Sequence, residues 1–477
     1  MSGTFSSFGS ALSALRYNRV AMDVASNNVA NAHTEGYTRR MAVAQATGAP
    51  AVQALWSTWN GTTGGVEVGG IERMVDPLLD ARSRTEHSTL SYLDTRAASL
   101  VRFETTIGEP GENGIAAALS AFKQGWHDVA NSPGDDAAKS QLIGRAQTLE
   151  AAIKSQAAAV STEWSDQRAR MTSVVDEANK IAGDLAQLNG ALITAKNAGT
   201  DASTLLDQRD QLALRLSQLT GAVVTDEQDS AFTVSLNGAK LVDGTVASTI
   251  RVEGGDLSGT PVLRVLVDVP DAVAGPTATE IAPNDTVAPA TKLLGELGGV
   301  YEVLVNDLPD YLGRLDAFVK ELVTGINSLH NGAKTSSGAT AGLFFEDTTT
   351  NGAAYTAAGM KLLVTDPADV ATAAPTLGGL DASVATAIAT AGLGGPTYRS
   401  LVTDFGVAVS SARRVAANQG VLTAQVDASR ESLSGVNIDE EMVNLLAAQR
   451  AYEGASRVIT TLDSVLDTLI NRTGLTR

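Results

Sequence analysis

Cysteine is absent from all 477 residues. Disulfides, zinc–thiolate sites and thiol nucleophiles are therefore excluded, and whatever holds the chain together is noncovalent. Lysine-rich runs are missing as well, and 35 basic against 53 acidic residues leave a formal net charge of −18. Without a basic patch to displace counterions from phosphate, no nucleic-acid partner is expected. No apolar run is long enough to span a bilayer, so no membrane partner is expected either. Arg16 and Arg19 interrupt the opening apolar positions, so no cleavable signal peptide is read there. The four histidines, His33, His87, His127 and His330, are scattered and none precedes Glu. The zinc-protease pattern is thus lacking, as are the Gly-x-Ser-x-Gly elbow, the Walker loop and the dinucleotide fingerprint. The chain is read as no enzyme, with no cofactor and no metal.

What is present is helical periodicity, and it is clearest at the two ends. Phe5, Phe8, Leu12, Leu15, Met22 and Val29 form one stripe, with Arg19 and Ser26 as polar lapses. Met442, Leu445, Tyr452, Ala455, Ile459, Leu462, Leu466 and Leu469 form the other at spacings of three and four. A lone helix of this length is marginal in water, and each large side chain buried contributes roughly 1.5–3 kcal/mol, so both ends need a partner. That partner is either the other end or another subunit.

Between the ends lie further seams. Gly65 to Arg73 reads as short extended segments, and Asp76-Pro77 restarts a helix. Seams follow over Leu90–Ile107, Ile115–Val129, Leu142–Trp164 and Met171–Leu192, with Ser132-Pro133-Gly134 as a break. The run Leu205-Leu206-Asp207-Gln208-Arg209-Asp210 places Arg209 beside carboxylates on a helix. An acid/base pair of Asp207 and Asp210 lacks accompanying pocket residues, so an ion-pair cluster is the preferred reading. From Ala222 to about Pro289, β-branched alternation and Asn-Gly, Asp-Gly and Gly-Gly turns predict a small antiparallel β insert. Helix returns near Leu293, with Pro309 kinking it or starting a new one. Lys334 to Pro396, rich in Ala, Thr and Gly, predicts an irregular segment on the bundle. A last helix begins near Tyr398, and Asn437 or Asp439 caps the tail. Trp126 and Trp164 are core candidates, whereas Trp56 and Trp59 stand in a loop-like stretch as candidate interface anchors.

The run Ser26-Asn27-Asn28-Val29-Ala30-Asn31-Ala32-His33-Thr34-Glu35-Gly36-Tyr37-Thr38-Arg39-Arg40 resembles the N-terminal signature of bacterial flagellar axial proteins, the rod, hook and hook-associated family. Asn27, Asn28, Asn31, Thr34, Gly36 and Tyr37 carry that likeness. Leu206, Asp207, Gln208, Arg209 and Asp210 resemble a hallmark of its hook-associated members. Gly325–Gly332 with Gly342-Leu343-Phe344-Phe345 are similar to the same family, and the tail run Ser434-Gly435-Val436-Asn437-x-Asp439-Glu440-Glu441 with Gln449, Ala451 and Tyr452 resembles the C-terminal signature of the axial family. The resemblance implies a structural subunit at the junction of hook and filament, exported to the extracellular flagellum by the type III route without a cleaved signal. Its implied partners are itself, the hook protein, an adjoining junction protein or flagellin, and an export chaperone.

The expected fold is mainly α. It comprises a terminal helical assembly part (1–33 with 436–477), an elongated helical bundle (34–221 with 293–435) and the β insert (222–292), which the resemblance places outermost. The expected assembly interface is Phe8, Leu12, Leu15, Met22, Val29, Met442, Leu445, Tyr452, Ile459, Leu462, Leu466 and Leu469, left uncovered until neighbouring subunits bury it. The alternatives are another hook or rod subunit, or a secreted adhesin or effector whose β insert binds a ligand.

Overall fold

A computed structural model describes residues 2–47, 64–225, 232–258, 260–270, 275, 277–281, 292–347 and 355–468, with side chains from residue 7 onward. Trp56, Trp59 and Leu469, and the side chain of Phe5, lie outside the described residues. The fold is mainly helical, as its seams predict.

Helix α1 (Ser2–Ala30) opens the chain and is followed by a hairpin of β1 (Arg40–Ala46) and β2 (Val66–Arg73), antiparallel with Arg40 opposite Arg73. Helix α2 (Pro77–Ile107) starts where Asp76 caps the amides of Leu78 and Leu79 and Pro77 supplies a first-turn residue that needs no N–H partner. After α3 (Ile115–Asn131), Asp135 caps α4 (Asp136–Ala198). The two seams read over 142–192 belong to this one helix of 63 residues, about 95 Å at 1.5 Å per residue. Helix α5 (Ser203–Thr220) then folds back along it.

Among its described residues the β insert has seven strands in two antiparallel meanders. These are β3 (Val223–Thr225), β4 (Thr233–Leu236), β5 (Ala239–Asp243) and β6 (Val246–Ala247) in one, and β7 (Thr249–Glu253), β8 (Arg264–Val269) and β9 (Thr277–Glu280) in the other. All seven fall within the expected stretch. At its base the two crossings touch: a Cβ on Gly295 would lie 2.6 Å from the Gly221 nitrogen, and both residues have positive φ, so neither position accepts a side chain.

Helix α6 (Gly295–Glu302) runs through a π turn (Val303–Asp307) into α7 (Leu308–His330), so Pro309 sits in the first turn of a new helix. The segment after α7 forms a small β pair, β10 (Lys334–Thr335) and β11 (Ala371–Ala373), and α8 (Ser383–Thr390). It is irregular, as expected, but well anchored. Asn327 donates to the Phe345 carbonyl and accepts from the amides of Phe344 and Phe345. Fully buried Lys139 donates to Ser336 at 2.6 Å. Helices α9 (Gly395–Ser434) and α10 (Ile438–Asp467) close the chain, with Asn437 as the cap of α10.

Two apolar clusters fill the bundle. One joins α3, the first part of α4, α7 and the 333–401 region, around Phe122, Trp126, Phe318 and Phe344. The other joins the last part of α4 (Met171–Ala186), α5, α6 and the β insert, around Leu185, Leu216, Val234 and Val265. The insert therefore shares a core with the helices it interrupts. Asn179 of α4 pairs with both the N–H and the carbonyl of Ile250, and Asn189 donates to the carbonyls of Phe232 and Gly244. Its inward residues Phe232, Val234 and Val265 thus sit in one apolar cluster with the last part of α4, α5 and α6.

Of the two partners open to the terminal helices, the chain itself supplies one: α1 lies along α10, and tethering both ends to one bundle keeps them at high effective concentration.

Candidate functional site

The last turns of α1, the exit run 31–39, the β1–β2 hairpin, α5 and the first turn of α10 converge on one polar cluster. It begins with Asn28, which is fully buried although polar. Its amide nitrogen donates to the Arg40 carbonyl (2.9 Å) and to Glu441 Oε2 (2.9 Å), while its oxygen accepts from the Tyr37 hydroxyl (2.8 Å) and the Arg40 amide (3.1 Å). Every hydrogen-bonding position of this side chain is used, as burial demands. Burial pushes the Tyr37 phenol above the ordinary tyrosine range, although the Arg40 guanidinium, 4.9 Å from its ring centroid, opposes this.

Glu441 lies in the first turn of α10, where a carboxylate favours the positive helix end. At 3% exposure it also needs direct partners. Arg39 supplies them through Nε (2.9 Å) and Nη2 (2.8 Å) to Oε1, and also reaches Glu440. Asn28 and Glu441 stand 413 positions apart, so this contact ties the two chain ends together. The Arg39 amide donates to the Ser434 carbonyl at 2.9 Å, fixing the exit run to the end of α9.

The second half of the cluster joins the hairpin to α5. Arg40 and Arg73 face each other across the ladder, a like-charge pair that needs a counter-charge. Asp207 provides it, with Arg40 Nη2 at 3.0 Å from Oδ2 and Arg73 Nε at 2.9 Å from Oδ1, the latter an ion pair off the hydrogen-bond axis. Arg73 Nη2 continues to Asp210 at 2.6 Å, which also accepts from Arg209, and Arg209 stacks on Phe232 of the β insert at 4.2 Å. Gln211 donates to the Glu35 carbonyl at 2.7 Å. Gly36 has φ +75°, and a Cβ there would lie 2.0 Å from Gln211 Nε2, so only glycine fits. Asn31 donates to the Asn27 carbonyl and accepts from Thr34, whose carbonyl receives the Tyr37 amide.

Of the residues singled out in the sequence, the structure unites Asn28, Gly36, Tyr37, Asp207, Arg209 and Asp210 in this cluster, with Asn27, Asn31 and Thr34 shaping the turn. Leu206 is half-buried on α5, and exposed Gln208 lines an open groove between α4 and α5. The residues missed are Arg73, Gln211 and the buried role of Glu441. The signal for them was the Arg39-Arg40 pair, two adjacent cations in an acidic chain that require carboxylates from elsewhere.

The stripe residues lie beside this cluster. Phe8, Met442 and Tyr452 are exposed at 38%, 45% and 37%. Leu12, Leu15, Met22, Val29, Leu445, Ile459, Leu462 and Leu466 are only partly covered. Among the described side chains, the buried apolar residues of α1 and α10 are instead Ala11, Val24, Ala25 and Ala448. A groove of 510 Å³ runs between α1, β1 and α10, lined by Ala21, Met41, Ala447 and Ala451, with Arg39, Arg40 and Glu441 also on its walls. Among the described residues, no three His, Asp or Glu side chains gather in a metal-holding group, and no helix is long and apolar enough to cross a membrane.

Comparison with known proteins bears on this arrangement. Residues 100–345 match the family described as flagellar hook-associated protein FlgK helical domain. Residues 8–38 match flagella basal body rod protein, and residues 430–472 match the flagellar basal body rod FlgEFG protein C-terminal family. The chain is similar to flagellar hook-associated protein 1 of Bacillus subtilis (strain 168), at 27% identity over 100% of this chain and 99% of that protein. It is also similar to flagellar hook-associated protein 1 of Escherichia coli (strain K12), at 24% over 97% and 98%. Among solved structures, the flagellar hook junction protein FlgK from Burkholderia pseudomallei shares the fold. Its TM-score is 0.50 at 24% identity, covering 56% of this chain and 46% of that one.

Proposed function

The chain belongs to the family of the flagellar hook-associated protein FlgK helical domain, and we propose from that premise how its coil and its polar cluster divide the work. The protein is a structural component of the bacterial flagellum at the hook–filament junction, an extracellular axial part, in a family that is structural rather than enzymatic. In our reading the paired α1 and α10 are the assembly element, and the stripe from Phe8 to Val29 with that from Met442 to Leu469 is covered by neighbouring copies. The polar cluster is the joint that carries load from this coil into the bundle. The coil, the bundle and the insert correspond to residues 1–33 with 436–477, 34–221 with 293–435, and 222–292.

The observation that carries this reading is that no described stripe residue is fully buried, and Phe8, Met442 and Tyr452 stay exposed, even though α1 and α10 already pack on each other. Large apolar side chains left partly in water along two helices mark a surface made for further protein. We assign the hook protein to one side of the ring and an adjoining junction protein or flagellin to the other. An export chaperone covers the stripes beforehand, and passage is by the flagellar type III route without a cleaved signal. Immunogold labelling of isolated flagella tests the placement. One band at the boundary of hook and filament is expected, and label along the filament or in the rod overturns it.

A further inference from the structure

The two apolar clusters of the bundle do not run into each other. On α4 the buried apolar series stops at Val160 and resumes at Met171. The buried positions between them are Glu163 and Gln167, polar residues in the middle of a helical seam. Trp164, partly buried, packs against both clusters. Around it runs a belt of polar pairs. Arg102 forks onto Glu163 at 2.6 and 3.1 Å, and Gln167 donates to Ser99 at 2.8 Å and to Glu163 at 2.7 Å. Arg96 forks onto Asp307 at 2.7 and 2.8 Å, and Arg170 reaches Glu296 at 2.8 Å.

The π turn lies at the same level. Its register sends the Leu308 amide to the Val303 carbonyl, so the Leu304 carbonyl loses its α-helical donor. The next donor in π register would be residue 309, a proline without an N–H. The Leu304 carbonyl is instead taken by the Trp164 indole N–H at 3.2 Å. A local break in one helix is thus pinned by a side chain of another, at the level where the buried apolar series of α4 is interrupted.

We propose that this level is a swivel: the half of the bundle bearing the joint and the half bearing α3 and α8 tilt against each other about Trp164 through a bend of α4, which runs unbroken across the belt. Apolar interdigitation locks helices in one relative position, whereas the arginine arms of the belt are partly in water, at 30–47% exposure, and can follow a small displacement of their carboxylates. Replacing a buried polar group by a well-fitting apolar one is often neutral or stabilising, so a polar belt here is retained for something other than stability. If the protein serves at the hook–filament junction, as proposed above, the swivel lets the outer half follow a neighbour whose inclination differs from that of the coil.

The test uses the isolated full-length chain, so it is independent of where that chain assembles. The chain has no cysteine, so Gln147→Cys on exposed α4 surface beyond the belt and Val246→Cys on the insert accept spin labels without background. Pulsed dipolar spectroscopy then gives the distance distribution across the belt. Wild type is expected to be broad, and Glu163→Leu/Gln167→Leu to narrow the distribution about twofold while staying folded. In that variant Ser99 keeps its bond to the Thr95 carbonyl, and Arg102 turns to solvent. Trp164→Phe, which keeps an aromatic ring but removes the N–H, is expected to widen it and to speed amide exchange over 303–308. If the leucine variant does not fold, the Trp164→Phe pair of readouts decides alone. A wild-type distribution already as narrow as the leucine variant's, or one that Trp164→Phe leaves unchanged with unchanged exchange, overturns the swivel.

Discussion

The terminal coil and the joint are adjacent and share the same two helices, yet they are finished to opposite degrees. In the joint, Asn28, Arg39 and Glu441 meet buried partners at hydrogen-bond distance, and the hairpin arginines find Asp207 and Asp210. A few residues along, Met442, Leu446 and Val458 stand exposed at 45%, 48% and 47%. Polar groups are costly to bury unpaired, so a joint that must hold before assembly has to be complete inside one chain. Apolar groups tolerate waiting in water, so the surface that we propose other subunits cover is built from those. The contrast separates what the chain does for itself from what it leaves to its neighbours.

The contrast is broken most severely at the coil. Leu462→Asp is expected to abolish incorporation at the junction while leaving the bundle's melting transition in place, checked by electron microscopy of flagella and by calorimetry. A matching loss of bundle stability would mean that the stripe serves the chain's own core. At the joint, Glu441→Ala leaves Arg39 and Asn28 facing an empty site. A loss of about 3 kcal/mol is expected in the free energy holding the coil on the bundle, read as faster exchange of α1 and α10 amides.

Gly36→Ala is a milder injury. Its backbone strain and the displacement of Gln211 should cost about 1–2 kcal/mol, with exchange raised in residues 31–40. Acid offers a control in a part of the bundle that touches neither coil nor joint. Buried His330 donates from Nδ1 to the Gly342 carbonyl and accepts at Nε2 from the Ala371 amide. Burial lowers its pKa, against the opposing pull of Gly342 and Asp369. Because the folded value lies below the unfolded 6.5, this contribution is whole above pH 6.5 and is lost as pH falls below it. Between pH 7.5 and 5.5 the β10–β11 region is expected to gain exchange before α1 and α10 do, and the His330→Gln variant to lose that pH dependence.

Much of the fold was legible in sequence, because the helices and the insert rest on local periodicity. The seam from Met171 to Leu192 and the turn-punctuated strands of the insert announced themselves. The continuity of α4 did not, since Glu163 and Gln167 interrupt the apolar pattern without interrupting the helix. Nor did β1, whose half-covered face carries too short an alternation. The region after His330 read as irregular because its few large apolar residues, Phe344, Phe345, Met360 and Leu362 among them, follow no helical or strand period, and Asn327 and His330 fix its backbone from a distance.

The candidate site divides in the same way. Asn28, Gly36, Tyr37, Asp207 and Asp210 stood out as motif residues. That Asn28 meets Glu441, or that Asp207 sits between Arg40 and Arg73, is long-range information that no local spacing carries.

The claim that the two chain ends are held as one piece by the joint is tested most directly by a double-mutant cycle between Asn28→Ala and Glu441→Ala, measured as the unfolding free energy of the coil by amide exchange. The account expects the two losses to overlap, with a coupling of about 1–2 kcal/mol, because both changes remove the same contact. Losses that add to within about 0.5 kcal/mol would contradict it, since the asparagine and the glutamate would then be acting independently.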